Sequence, residues 1–475
     1  MTNKPKVLLL NPPGKRVYLR DYFCSKVSQA DYINHPIDLV YLSGLLKDSF
    51  ELHVIDAIAE KLSISKCLQR IQAVRPEVIV GLIGSVSYAE DVPFYQQVHQ
   101  RIGAKIILIG DVLIERREER LAEMPFISAF LHDFSSEDLL HYLRNGDSAI
   151  DAVKNMTVRS NGRVRAMPIE QPKNREFNLP IPQHRLFLGK DYRYPFVRHP
   201  NFATVMTEFG CPYSCTFCVM STLGWKIRPV ENVLTELELL SSLNVRELFF
   251  LDQTFGIQKE RAHALLTKMT EARFDFGWVC FSRPDILDDE LLRAMKAAGC
   301  HTIILGLESG NEEILAATKK EYNKEEVKAG FHRCTKYGIR TVATVILGLP
   351  EESEETFAET MTFLKQVNPD FASFNVAVPR MGTPFRKTAV ELGLTTSNGD
   401  IMDQSGNPVA LPSLTLSRHQ IASLKKRAVR DFYLNSAYLK RRLKSMLHSQ
   451  SRGVRELSIQ LRQGIGLVRN YFSEE

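Results

Sequence analysis

The chain has 475 residues, 44% of them apolar and 24% charged, with eight cysteines and a net charge of +6. That is the composition of a folded protein of two to four domains, not of a disordered, collagen-like or disulfide-stapled chain. No apolar run reaches the ~20 residues of a bilayer span, and the start Met1-Thr2-Asn3-Lys4-Pro5 lacks the apolar stretch of a signal peptide, so a reducing, cytoplasmic setting is expected.

Residues 1 to about 150 alternate apolar runs with helical periodicity. Val7–Leu10, Leu52–Ile55, Val78–Ile83, Ile106–Ile109 and Phe126–Leu131 read as strands buried on both faces, with Leu39–Leu46, Ile64–Val74 and Val92–Ile102 as helices between them. The alternation predicts an α/β, doubly wound, Rossmann-like domain. Ligands on such sheets bind beyond the carboxyl ends of the strands, here at Asn11-Pro12-Pro13-Gly14, Asp56-Ala57, Gly84-Ser85-Val86-Ser87 and Gly110-Asp111. The polar stretch from Lys15 to about His35 is a candidate lid. Residues 151–199 read as a connector: Asn161-Gly162 predicts a type I′ hairpin, and Leu179-Pro180-Ile181-Pro182 an extended linker.

After a strand-like run, Phe202–Phe209, comes Cys211-Pro212-Tyr213-Ser214-Cys215-Thr216-Phe217-Cys218. Gly210 and Pro212 turn the backbone, so three thiolates can converge on one centre. Structural zinc and complete iron–sulfur sites take four ligands. Three cysteines leave one iron of a [4Fe–4S] cluster open to a substrate or cofactor, and the bland alternative is three buried core thiols. From 200 to 395 the βα alternation returns, with strands Ala203–Thr207, Glu247–Leu251, Trp278–Phe281, Thr302–Leu307, Thr341–Leu347 and Phe371–Val376. Six such units predict a partial (β/α)6 barrel, whose functional residues belong at the carboxyl ends of its strands. Those ends carry Asp252-Gln253-Thr254-Phe255, Ser282-Arg283-Pro284-Asp285, Gly306-Leu307-Glu308-Ser309-Gly310, Leu347-Gly348-Leu349-Pro350-Glu351 and Asn375 onward.

The cysteine run, with Phe217 before its last cysteine, resembles the signature of the radical S-adenosylmethionine (radical SAM) superfamily. The strand-end runs are similar to that family's in the same order. The resemblance implies that Cys211, Cys215 and Cys218 hold a [4Fe–4S] cluster and that the open iron chelates the methionine end of SAM. The reduced cluster then cleaves SAM to a 5′-deoxyadenosyl radical. It further implies Glu308, Ser282 and Arg283 as partners for the SAM ribose, and Phe217, Leu347 and Asn375 as partners for its adenine. A doubly wound domain opening with Asn-Pro-Pro ahead of such a core resembles the cobalamin-binding type, which includes the anaerobic cyclase and the hopanoid- and ladderane-associated enzymes. This chain departs from that type in lacking a D-x-H-x-x-G run. It has Gly110-Asp111-Val112 where Gly-Gly is common, and Asp133-Phe134-Ser135-Ser136-Glu137 where Gly-Glu-Gly-Glu is common.

The implied reaction is radical attack on an unactivated C–H of a small, apolar or lipid-like substrate. With cobalamin the outcome is methyl transfer; without it, cyclisation, rearrangement or dehydrogenation. The implied partners are that substrate and an external electron donor of flavodoxin or ferredoxin type. Residues 396–475 read as a helical extension. From Ser413 to Glu475 there are 13 Lys/Arg and 4 Asp/Glu, so the tail carries +9 and the rest of the chain −3. Leu424, Ala428 and Phe432 share one face there, and a second helix is expected over Val454–Tyr471. The expectation is a cap over the barrel, with peripheral membrane contact as the sharper reading and nucleic acid disfavoured. Two alternatives remain. An RNA-modifying methylthiotransferase would carry three further N-terminal cysteines, where only Cys24 and Cys67 occur; a non-catalytic iron–sulfur scaffold would have no need of the strand-end motifs.

Overall fold

The computed structural model describes residues 4–441 except 23, 29–31, 171–172, 397–401, 407 and 437. The expected helix over Val454–Tyr471 lies outside the described residues. The N-terminal elements follow in order: β1 (Lys6–Asn11), β2 (Tyr18–Leu19), β3 (Lys26–Val27), α1 (Ile37–Leu46), β4 (Glu51–Asp56), α2 (Ile64–Val74), β5 (Val78–Leu82), α3 (Tyr88–Ile102), β6 (Lys105–Ile109), α4 (Arg117–Glu123), β7 (Ala129–Leu131), α5 (Asp138–Asn145), β8 (Met156–Ser160) and β9 (Arg163–Ala166). β4-β1-β5-β6-β7 are parallel, and β8 and β9 continue the same sheet antiparallel. The hairpin expected in a connector is therefore the edge of the N-terminal sheet. Phe126–Leu131 shortens to β7, which needs only three residues to pair with β6.

Strand order reverses between β1 and β5, the crevice where doubly wound sheets take ligands. Here described residues of the Lys15–His35 stretch fill it. Arg20 is buried, ion-paired to Asp91 at 2.7 Å, and donates to the Asn11 side chain and the Pro12 carbonyl. The Ser25 amide and hydroxyl both donate to Asp111. The described residues of the expected lid are thus packed into the molecule, because a guanidinium and a carboxylate taken out of water need partners from the strand ends around them.

After β10 (Lys173–Glu176), the second unit runs β11 (Phe202–Val205), β12 (Glu208–Gly210), β13 (Trp225–Ile227), α6 (Val230–Ser242), β14 (Glu247–Phe250), α7 (Lys259–Glu271), β15 (Gly277–Ser282), α8 (Asp289–Ala297), β16 (Cys300–Glu308), α9 (Glu312–Ala317), α10 (Lys324–Lys336), β17 (Arg340–Leu347), α11 (Glu354–Val367), β18 (Phe371–Val376), α12 (Pro384–Glu391) and α13 (Arg418–Tyr433). β11-β14-β15-β16-β17-β18 pair in parallel in chain order, with β12 and β13 set aside in a separate small sheet, as the half-barrel reading requires. Helix starts are written locally: Asp288, Asn323, Ser353 and Ser417 each accept an amide of the first turn. Side chains alternate across the strands. Leu248, Phe250, Ile303, Leu305, Ala343 and Val345 join the core beneath the helices, while Phe249, Val279, Ile304 and Val342 join a second core shared with α1.

The tail's first helix is a cap. Ile421, Leu424 and Ala428 of α13 are buried, Ile421 lies against Gly348, and the Tyr433 hydroxyl donates to the Ala372 carbonyl on edge strand β18. Its apolar face is therefore already covered by the barrel. No helix among the described residues is long and apolar enough to cross a membrane.

The two units meet through buried polar groups. Arg228 pairs with Glu236 at 2.7 Å and donates to the Tyr41 hydroxyl, and Glu236 also contacts His184 at 2.7 Å. Nearby, His35 lies 4.1 Å from the Tyr192 ring and contacts Thr204 at 3.2 Å. Burial, with the charge of His184 behind it, pulls the His35 imidazole from 6.5 down to about 3. The unfolded chain therefore takes up that proton first, and the stability His35 supports at pH 7 is lost as pH falls below about 6.5. The loss is roughly 2 kcal/mol by pH 5. The urea-midpoint difference between wild type and His35→Gln should accordingly shrink from pH 7 to pH 5.

Candidate functional site

The expected strand Phe202–Phe209 is two strands. β11 belongs to the barrel, and β12 pairs antiparallel with β13 in a small sheet with β10. The break lies at Met206-Thr207, where buried Asp252, just past β14, accepts the Thr207 amide and hydroxyl at 2.6 Å each and the Glu208 amide at 3.0 Å. The cysteine run is the connection from β12 to β13. Gly210 opens it at φ +80°, and a Cβ there would lie 1.8 Å from the Gly224 carbonyl oxygen, so only glycine fits. The Cys211 amide donates to that same carbonyl at 3.1 Å.

This loop lies over the C-terminal mouth of the barrel. Cys211 Sγ stands 4.0 Å from Thr254 Oγ1, and the Thr216 amide donates to the Thr318 carbonyl at 3.1 Å. Ser214 Oγ donates to Glu321 at 3.1 Å, and the Phe385 amide to the Thr216 carbonyl at 3.0 Å. Cys215 is buried, and Cys211 and Cys218 are partly buried. Burial pushes the Cys211 thiol up and the Cys218 thiol up to about 12. Among the described residues no three Cys, His, Asp or Glu side chains stand together as a preformed metal cage. The fit to an iron–sulfur cluster rests on the donor set: three soft thiols within eight residues, on one loop pinned at both ends.

The barrel strands bring several expected residues to this mouth. Glu308 ends β16 past a register shift, at φ +60°, a left-handed conformation uncommon outside glycine. It is buried and paired to Lys320 Nζ at 3.0 Å. Arg283 follows β15 and holds Asp285 with two bonds and the Lys320 carbonyl with a third at 2.7 Å. Its guanidinium lies between the rings of Tyr213, at 3.7 Å, and Tyr322, at 4.9 Å, and its buried Nη1 has no hydrogen-bond partner. Phe217 lies under the Lys320 ammonium at 5.7 Å. Ser282 instead donates its hydroxyl to the Phe255 carbonyl at 2.8 Å and acts as a strut. The Leu347 carbonyl takes the Ala377 amide at 2.7 Å, which leaves that oxygen to the sheet. Asn375 stands on the next strand, half-buried, 3.5 Å from Ser373.

The sequence reading missed Lys320, Tyr213 and Tyr322. Thr318-Lys319-Lys320-Glu321-Tyr322 looks like a solvated turn, and only its position after the Gly-x-Glu-Ser-Gly run hints otherwise. Cys280 proves to be fully buried on the helix-facing side of β15, in the core. Between the N-terminal strand ends and the cysteine loop lies a small cavity of about 10 Å³, room for about one water molecule. Its lining includes Ser85, Asp111, Val219, Arg380, Met381 and Met402.

A parallel half-barrel with three cysteines at its mouth agrees with comparison to known proteins: residues 207–364 match the family model of the Radical SAM superfamily. The chain carries a radical SAM domain. It is similar to an uncharacterized methyltransferase of Pyrococcus horikoshii, 26% identical over 443 residues, 91% of this chain and 94% of that protein. It is also similar to the anaerobic magnesium-protoporphyrin IX monomethyl ester cyclase of Rubrivivax gelatinosus, 26% identical over 85% of this chain and 74% of the cyclase. In fold it is like the radical SAM methyltransferase TsrM of Kitasatospora setae, solved with cobalamin and a [4Fe–4S] cluster bound. The TM-score is 0.65 at 18% identity, over 83% of this chain and 76% of that one. The likeness covers 83% of this chain, more than the residues 207–364 that the family model matches.

Asp252 is the peg of this mouth. Asp252→Ala leaves two buried amides and a hydroxyl unpaired, at about 1–3 kcal/mol for each group. The urea midpoint of the metal-free protein should fall accordingly, with Asp252→Asn recovering part of the loss.

Proposed function

We propose that this chain is a radical SAM enzyme in which Cys211, Cys215 and Cys218 hold a [4Fe–4S] cluster whose fourth iron takes SAM. The substrate in this reading is a small, largely apolar molecule attacked at an unactivated C–H. The observation that carries it is the cysteine loop, pinned over the mouth of a parallel half-barrel opposite Glu308, Arg283 and Lys320. When bound and reduced, the cluster supplies the electron that breaks a carbon–sulfur bond of SAM.

The chain's own part is binding, orientation and exclusion of water. The orphaned Arg283 Nη1, buried beside the loop, supplies a donor for an anionic group such as the methionine carboxylate. Glu308, on its strained backbone, suits a ribose hydroxyl or an ammonium, and the Phe217 ring and the Asn375 side chain suit the adenine. The opposite faces of the strands, Phe249, Val279, Ile304 and Val342, are apolar. Packed in the core shared with α1, they keep water out of the barrel interior. Electrons come from a donor of flavodoxin or ferredoxin type. Peripheral membrane contact falls to the cationic face of the tail, since the apolar face of α13 is covered.

Cobalamin belongs to this proposal through TsrM and the doubly wound domain. Its place would be the seam that holds Ser85, Asp111 and Arg380, where the cavity of about 10 Å³ is far smaller than the ~300 Å³ of a small ligand pocket. A corrin ring would require the described residues of the Lys15–His35 stretch to part from the strand ends.

The test uses anaerobically reconstituted, dithionite-reduced protein with SAM, with and without methylcobalamin. Wild type should carry about four iron and four sulfide per chain and release 5′-deoxyadenosine. Replacing Cys211, Cys215 and Cys218 by alanine should abolish both iron and deoxyadenosine. A loaded wild type that never cleaves SAM, with substrate-like apolar additives present, would leave the scaffold reading standing. Cobalamin retained after desalting favours methyl transfer; its loss favours cyclisation, rearrangement or dehydrogenation.

A further inference from the structure

Lys320 was assigned no role by the motifs, yet its surroundings are unusual. It is 6% exposed, and its ammonium is paired with Glu308 at 3.0 Å. Two hydrogen bonds tie the flanking chain to the cysteine loop. Thr318 accepts the amide of Thr216, and Glu321 accepts the hydroxyl of Ser214, so Lys320 lies between two anchors that straddle Cys215. Its ammonium lies over Phe217, within the loop, and over Tyr322 at 5.2 Å. Gly306 makes room for it: a Cβ there would come within 2.5 Å of the Glu308 carboxylate and 3.1 Å of Lys320 Nζ. Burial works against the charge, but Tyr322, Glu308 and Cys215 hold the lysine above its ordinary value, and Lys320 in turn acts on Cys211 and Cys218.

Taking an ammonium out of water is costly without compensating charge. A single carboxylate, Glu308, compensates it, and the ammonium end of that pair is turned to the loop. A cation fixed against the cysteine loop, 5.7 Å from the Phe217 ring, lowers the free energy of whichever state of a cluster held there is more negative. In a [4Fe–4S] couple that is the one-electron-reduced state. Net charge around a cluster is one of the levers that set its potential, and in a dry site the field of one buried charge is weakly screened.

We propose that Lys320, held by Glu308, is a positioning residue that raises the reduction potential of the cluster at Cys211, Cys215 and Cys218. The inference rests on the radical SAM reading above. The electron enters from the external flavodoxin- or ferredoxin-type donor as the cluster passes from its oxidised to its one-electron-reduced form. No bond in the protein changes.

The experiment is a dithionite redox titration of the reconstituted full chain without SAM, followed by electron paramagnetic resonance of the reduced cluster. Iron and sulfide are counted in parallel. Lys320→Met should keep the cluster but shift the reduction equilibrium at least about tenfold against the reduced form, about 59 mV for a one-electron couple. Lys320→Arg keeps the charge and should restore the wild-type potential. Glu308→Gln, which leaves the ammonium uncompensated, should move the potential the opposite way, upward. Opposite signs from the two partners of one ion pair are not what a mere loss of packing produces. A loaded Lys320→Met with the wild-type potential overturns the inference, as do shifts of the same sign in Lys320→Met and Glu308→Gln. If Lys320→Met fails to load, the neutral variant Lys320→Gln takes its place, with the same downward shift expected and an unmoved potential overturning the inference. A wild-type chain without iron overturns the parent reading and this one with it; a loaded wild type with unmoved variants overturns this one alone.

Discussion

The hydrogen bond from the Thr216 amide to the Thr318 carbonyl, 3.1 Å long, joins the cysteine loop to the segment after β16. It sets where the chemistry can occur. A loop of eight residues with three thiols has many conformations, and only an anchor to a rigid element places it over one strand end and not another. Here the anchor is a chain segment whose own position is set by β16 and by the Tyr322 hydroxyl on the Gly306 carbonyl. The Ser214–Glu321 contact repeats the tie one residue before Cys215. Arg283, stacked between Tyr213 of the loop and Tyr322 of the segment, closes the same joint from β15.

Around that joint charge is compensated pairwise: Glu308 with Lys320, Asp285 with Arg283, and Glu208 beside Asp252 and Arg261. Burial, with the neighbouring Asp252 behind it, pushes the Glu208 carboxyl above its ordinary value. Such a mouth is dry and carries few uncompensated charges, which suits chemistry that water would quench. The strain at Glu308, in a left-handed conformation, is held in place by its pairing with Val345 of β17 and its ion pair with Lys320.

The N-terminal domain shows how one fold can be closed or open at its switch point. Its strand order is that of a ligand-binding doubly wound sheet, but the crevice is occupied by the chain's own Arg20 and Ser25, held by Asp91 and Asp111. Fold and site are separable properties here. The likeness to TsrM fixes the architecture, and the residues at the crevice decide what that architecture can admit.

Several features were legible in the sequence alone, and each is local. Apolar runs of four to six residues alternating with helical periodicity dictate parallel strands, because both faces of such strands must be buried. The cysteine spacing, the turn at Gly210 and the strand-end runs are likewise short-range patterns. Tertiary structure alone decided features that depend on pairing between distant residues. The strand-like run Phe202–Phe209 breaks at Met206-Thr207 because Asp252, 45 residues from Thr207, accepts the Thr207 and Glu208 amides. The Asn161-Gly162 hairpin joins the N-terminal sheet because β7 offers a free edge. Lys320 reads as a solvated cation until Glu308, Phe217 and Tyr322 are folded around it. A buried charge is legible only through its partner, and the partner's position is a property of the fold.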